Sequence, residues 1–139
     1  MRVVLAENMA ALGERLRVRM SELPGVEVLA LTVSVEQTLR AIAEHSPDLV
    51  VLDLRLNDGS GFDVMRRAQQ QQLHPAFMML TLFPAEATRR YFHALGGEFF
   101  FDKAKQLEEA LALMQSLARQ PAVLRIAGTR SDHGDEAKP

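Results

Sequence analysis

The sequence predicts an α/β domain: a five-stranded, mostly parallel sheet, doubly wound, with five helices. Three observations predict it. Short apolar runs alternate with stretches whose apolar residues recur every three or four positions, and this happens five times in succession. The connections are short and rich in turn residues, as right-handed strand–helix–strand units require. The run Leu49-Val50-Val51-Leu52 is apolar throughout, which suits a strand covered on both faces.

A length of 139 residues provides one domain with a proper core and is too short for two of ordinary size. Net charge of -2 gives no basic character to recommend nucleic acid as a partner. The absence of cysteine removes disulfides, thiolate nucleophiles and cysteine metal sites, and fits a cytoplasmic setting. No apolar stretch approaches the roughly 18 residues that span a bilayer, and the first residues lack the layout of a signal peptide.

Arg2 to Ala6 is the first strand, ending at the oxygen-bearing pair Glu7-Asn8. Met9, Leu12, Leu16, Met20 and Leu23 mark one face of a first helix, with Asn8 as a candidate N-cap. Pro24-Gly25 stops it, and Val26 to Thr32 is a second strand. Ser34 with Gln37 is a capping-box pattern opening a helix that runs to about His45 with Val35, Leu39 and Ile42 inward.

The third strand, Asp48 to Asp53, follows Ser46-Pro47. Ser60 with Asp63 repeats the N-cap signal, and Phe62, Met65 and Ala68 face the core. Pro75 to Thr81 is the fourth strand. Pro84 suits the first turn of a helix whose face is Ala87, Tyr91 and Leu95, ended by Gly96-Gly97. Phe99-Phe100-Phe101 is the fifth strand, leading to Asp102-Lys103, and Leu107, Leu111, Met114 and Leu117 define the fifth helix. The domain is expected over 1–119. The remainder, 120–139, is a tail whose polar stretch 129–139 is expected to be disordered.

In an open parallel sheet, ligands gather beyond the carboxyl ends of the strands. There the sequence places Glu7 and Asn8, Asp53, Thr81 and Lys103. Two carboxylates and an amide oxygen suit magnesium, which takes few protein ligands, while a lysine and a threonine complete a cradle for a phosphoryl group. The structural alternative is a set of solvated strand-end residues. A lysine at a helix start opposes the helix dipole, which argues for another reason for Lys103 to be there.

These residues, with Val51-Leu52-Asp53-Leu54-Arg55-Leu56, the loop closing at Gly61 and Phe99-Phe100-Phe101-Asp102-Lys103, resemble the receiver domain of two-component response regulators over about residues 2–118. The resemblance implies a flavodoxin-like sheet in the order 2-1-3-4-5. It implies that Asp53 accepts a phosphoryl group from a sensor histidine kinase or histidine phosphotransfer protein. Magnesium would be held by Asp53, Asn8 and the backbone carbonyl of Arg55, with Glu7 acting directly or through water. Lys103 would offset charge at the transferring group. Thr81 and Phe100 would switch the face formed by the fourth helix, fifth strand and fifth helix, through which a homodimer could form. The chain itself would be no enzyme beyond acting on its own Asp53, with output through an unknown downstream protein.

The sequence departs from the family pattern at Asn8, where a second acid is usual, so a weaker magnesium site is expected. Leu82 stands where a small residue is common, and Phe100 lacks the usual tyrosine hydroxyl. Asn57 and Ala104 replace common prolines, and since a cis bond after Lys103 would cost about 2.5 to 4 kcal/mol, that bond is expected to be trans. The alternative function is a pseudo-receiver, a binding scaffold that does not use phosphate. The chain reads either as a stand-alone module or as part of a longer regulator. His45, His74, His93 and His133 have no metal or catalytic spacing and are read as surface residues, as is the Arg89-Arg90 pair.

Overall fold

The computed structural model describes residues 1–120 and residue 124. In chain order the first elements are β1 (Arg2–Ala6), α1 (Ala10–Ser21), β2 (Glu27–Thr32), α2 (Val35–His45) and β3 (Leu49–Leu52). A short ribbon, β4 (Arg55–Leu56) and β5 (Gly59–Ser60), leads into α3 (Gly61–Gln70). Then come β6 (Ala76–Thr81), α4 (Glu86–Ala94), β7 (Phe99–Asp102) and α5 (Leu107–Arg119). The large sheet is parallel in the order β2-β1-β3-β6-β7, so the expected 2-1-3-4-5 topology is present. The antiparallel β4–β5 ribbon is an addition that the sequence reading did not contain.

Alternation along the strands divides the core between the two faces. Val4, Ala6, Val50, Leu52, Phe77 and Met79 pack with α2, α3 and Phe92 of α4. Val3, Leu5, Leu49, Val51, Met78 and Leu80 pack against α1 and α5. The continuous apolar run of β3 follows from this: each of its residues is fully buried, on one face or the other.

The helices start where the caps stand. Ser34 Oγ accepts from Gln37 N–H, and the Gln37 side chain reaches back to Val33 N–H. Ser60 and Asp63 form a complete capping box on α3. On α1 the cap is Met9, not Asn8, and it makes no side-chain cap bond. Met9 is also 56% exposed, so the core face of α1 begins further along, at Leu12 and Leu16.

The fourth helix departs most from its expected face. Pro84 lies outside α4, whose N-cap is Ala85 without a side-chain bond. Phe92, not the Ala87–Tyr91–Leu95 row, is its fully buried residue. Gly96 takes φ 94, and Gly97 leaves room for Phe92, since a Cβ there would stand 2.3 Å from Phe92 Cζ. Tyr91 turns outward, edge-on to Phe62 at 4.7 Å, and its hydroxyl accepts from Arg66 Nη1.

His74 and His93 are exposed and His45 is half-buried, while His133 lies outside the described residues. The expected tail falls outside them too, except for Gln120, which caps α5, and Leu124, which is buried against the α1–α5 side of the core. No helix among the described residues is long and apolar enough to cross a membrane.

Candidate functional site

Register fixes which side chains meet at the carboxyl edge of the sheet. Ala6 pairs with Leu52, Leu52 with Met79, and Met79 with Phe100. Glu7 and Asp53 therefore leave adjacent strands on the same row, and the backbone bond from Asp53 N–H to Ala6 O continues the ladder to that point. Thr81 pairs with Asp102 further along, and Lys103 N–H bonds to Thr81 O, which places the lysine just past the edge.

Three of the expected residues make direct contact. Lys103 Nζ lies 2.5 Å from Glu7 Oε1 and 3.4 Å from Asp53 Oδ1. Glu7 and Lys103 are buried, with side chains only 1% and 6% exposed, whereas Asp53 keeps 13% open to solvent. A buried ammonium tolerates this position because two carboxyls surround it. The second oxygen of Glu7 accepts from Met9 N–H at 3.1 Å, so both of its oxygens are engaged.

Burial pushes the Asp53 carboxyl up to about 6, and the neighbouring Glu7 carboxyl acts the same way while Lys103 opposes them. At neutral pH Asp53 is chiefly ionised, and it is the acid of the pair that faces outward.

Lys103 reaches the site because of its neighbours. Asp102 Oδ1 accepts from Ala104 N–H at 2.8 Å and from Lys105 N–H at 3.2 Å, while Asp102 N–H donates to Gln106 Oε1 at 2.9 Å. An Asx turn therefore shapes the backbone around Ala104, and no described peptide bond is cis. The helix-dipole reasoning for Lys103 does not apply, because α5 begins only at Leu107. The sequence reading named Asp102 beside Lys103 but gave it no role and did not name Gln106, although an Asp just before the lysine is a turn signal.

The other expected residues share the edge but have other partners. Thr81 is fully buried, and its hydroxyl accepts from Phe83 N–H at 2.9 Å. Asn8 is half-buried and Arg55 exposed, with its guanidinium 4.9 Å over the Phe83 ring. Phe100 already lies inside, 6% exposed and 5.6 Å from Phe92. Arg89 covers its ring at 4.6 Å, so Arg89 is not simply a solvated residue as the sequence suggested. Gly61 closes the loop after Asp53, where a Cβ would come 2.6 Å from Asp53 O.

A carboxylate at a strand end, an ammonium and a neighbouring hydroxyl make an arrangement that also recurs in known proteins. The family model described as the response regulator receiver domain matches residues 3–116. The chain belongs to the response regulator receiver domain family.

Among curated relatives of this receiver domain, an uncharacterized response regulatory protein of Vibrio cholerae is 33% identical over 89 residues, 63% of this chain and 34% of that protein. The virulence transcriptional regulatory protein PhoP of Salmonella choleraesuis is 28% identical over 120 residues, 86% of this chain and 53% of that protein. The chain thus spans about half or less of the length of these relatives. Among solved structures, the non-phosphorylated HemR receiver domain from Leptospira biflexa superposes with a TM-score of 0.74 at 29% identity, covering 84% of this chain and 93% of that one.

Proposed function

We propose that Asp53 is the phosphoacceptor of a two-component system and that it takes its phosphoryl group from a phosphohistidine of a sensor kinase or histidine phosphotransfer protein. The observation that carries this reading is the Asp53 carboxylate: part-open to solvent, ionised at neutral pH, and 3.4 Å from an ammonium that Glu7 holds in place. An Asp53 oxygen attacks phosphorus, an O–P bond forms, and the P–N bond breaks with its electron pair going to the imidazole nitrogen. Charge on the transferring group is met by Lys103, and catalysis is mostly positioning. Thr81, at the end of β6, turns its hydroxyl from Phe83 N–H toward a phosphoryl oxygen.

The donor set of Asp53, the Asn8 amide and the Arg55 carbonyl consists of hard oxygens and fits magnesium, with waters or phosphate completing its shell. When bound, the ion would supply further positive charge to the phosphoryl oxygens. Glu7 contributes charge rather than a ligand, since both of its oxygens are engaged.

Because Phe100 is already inside, switching would consist of releasing or retaining it under Arg89 rather than drawing it in, and the α4–β7–α5 face would carry the change to a downstream protein. Intact-mass measurement after acetyl phosphate and magnesium should show one added phosphoryl group, absent in Asp53→Asn. No uptake by the wild type would leave the alternative, a binding scaffold independent of phosphate.

A further inference from the structure

The loop that follows Asp53 is fastened to the start of α2. Asp58, at the turn of the β4–β5 ribbon, sets Oδ1 2.5 Å from Val35 N and Oδ2 3.2 Å from Glu36 N. These are the first two N–H groups of α2, which have no carbonyl partner within the helix. The third, on Gln37, is taken by Ser34 Oγ at 3.1 Å. The helix is therefore capped from two places, one local and one on the acceptor loop.

Other contacts reinforce the attachment. Asn57 N–H bonds to Val33 O at 3.0 Å, and Leu56 is buried in the same cluster as Val35. A Cβ on Gly59 would stand 3.1 Å from Val35 Cγ2, so ribbon and helix touch closely. Glu36 in turn pairs with Arg67 of α3 at 2.6 Å. Hydrogen bonds from the Val35 and Glu36 N–H groups hold the Asp58 carboxyl below its ordinary range.

Ser34 would cap α2 whatever the acceptor loop did. Asp58 adds something a local cap does not: it ties the seating of α2 to the ribbon that contains Arg55. We infer that Asp58 is a positioning residue for the phosphoacceptor site, fixing the ribbon against α2 so that events at Asp53 and the seating of α2 are energetically linked. The inference rests on the phosphoacceptor reading of Asp53. Linkage of this kind is reciprocal: what the phosphoryl group does to α2, a change in α2 does to phosphoryl binding.

Hydrogen exchange at the Val35 and Glu36 amides, taken before and after acetyl phosphate and magnesium, reads the link, and intact mass gives the rate of phosphoryl uptake. In the wild type, phosphorylation should change exchange at these amides by about 5-fold or more. Asp58→Ala should abolish that response and slow uptake by a similar factor. Ser34→Ala removes a cap from the same helix without touching the ribbon, and should lower stability while leaving response and rate as in the wild type.

Equal losses in both variants would show that only the stability of α2 matters and would overturn the inference. So would a wild-type response and rate in Asp58→Ala. Asp58→Asn keeps one acceptor oxygen, should fall between, and decides the matter if the alanine variant does not fold. A wild type that takes up no phosphoryl group sinks the phosphoacceptor reading and the inference with it, so the wild-type mass tells the two failures apart.

Discussion

The two loops flanking Asp53 are built in opposite ways. On one side the β4–β5 ribbon is held to α2 by Asp58 and Asn57, and Gly61 packs directly against the backbone of Asp53. On the other side Leu82 and Phe83 stand 49% and 54% exposed, and α4 begins without a side-chain cap and has Phe92 as its one fully buried residue. The same carboxylate thus lies between a loop fixed by polar bonds and a segment whose helix has one fully buried residue and otherwise half-exposed contacts. Elements that move are drawn from the less stable parts of a fold, so on the proposed phosphoacceptor reading the ribbon side would position and the α4 side would move.

The largest effect should come from removing that buried residue. Phe92→Ala should lose about 3–5 kcal/mol in urea unfolding, because it empties the core under α4; a loss below about 1 kcal/mol would mean that α4 is held by something else. Lys103→Met should lose about 3 kcal/mol at pH 7, since Glu7 and Asp53 are left facing each other without a cation. Retained phosphoryl uptake in that variant would remove Lys103 from the reaction.

Asp53→Asn should act in the other direction. Its folded-state value of about 6 lies above the ordinary 3.8, so the protonated acid favours the fold. That contribution is fully present below pH 3.8 and is lost as pH rises through 6. In EDTA, the variant should therefore gain about 1–2 kcal/mol over the wild type at pH 7, allowing for solvent screening at the open side of Asp53. The gain should shrink toward zero near pH 4, and a constant difference across this range would contradict the origin of the shift. Smallest of all, Leu82→Ala should change stability by no more than about 0.5 kcal/mol; a larger loss would mean that the α4 side is more firmly held than its exposure implies.

The strands were legible because burial on both faces removes the alternation that one-sided strands show, leaving Leu49–Leu52 as a plain apolar run. The contact of Glu7, Asp53 and Lys103 was legible in outline, since parallel strands deliver their ends to one edge. The face of α4 was not, because Tyr91 and Phe92 are adjacent and periodicity accepts either. Arg66 draws the tyrosine outward, and the space left by Gly97 takes the phenylalanine. The ribbon was hidden by its two-residue strands, too short for alternation to register. Asp58 was hidden for another reason: it caps a helix 23 residues earlier in the chain, and no local pattern announces such a partner.

Tyr91 also makes the protein its own optical probe. The chain contains one tyrosine and no tryptophan, so near-ultraviolet emission arises chiefly from this side chain. Its ring rests on Phe62 and its hydroxyl on Arg66, both in α3, while its backbone belongs to α4. Displacement of one helix past the other would break both contacts and alter the emission, so the motion proposed for the α4 side could be followed in real time without a label.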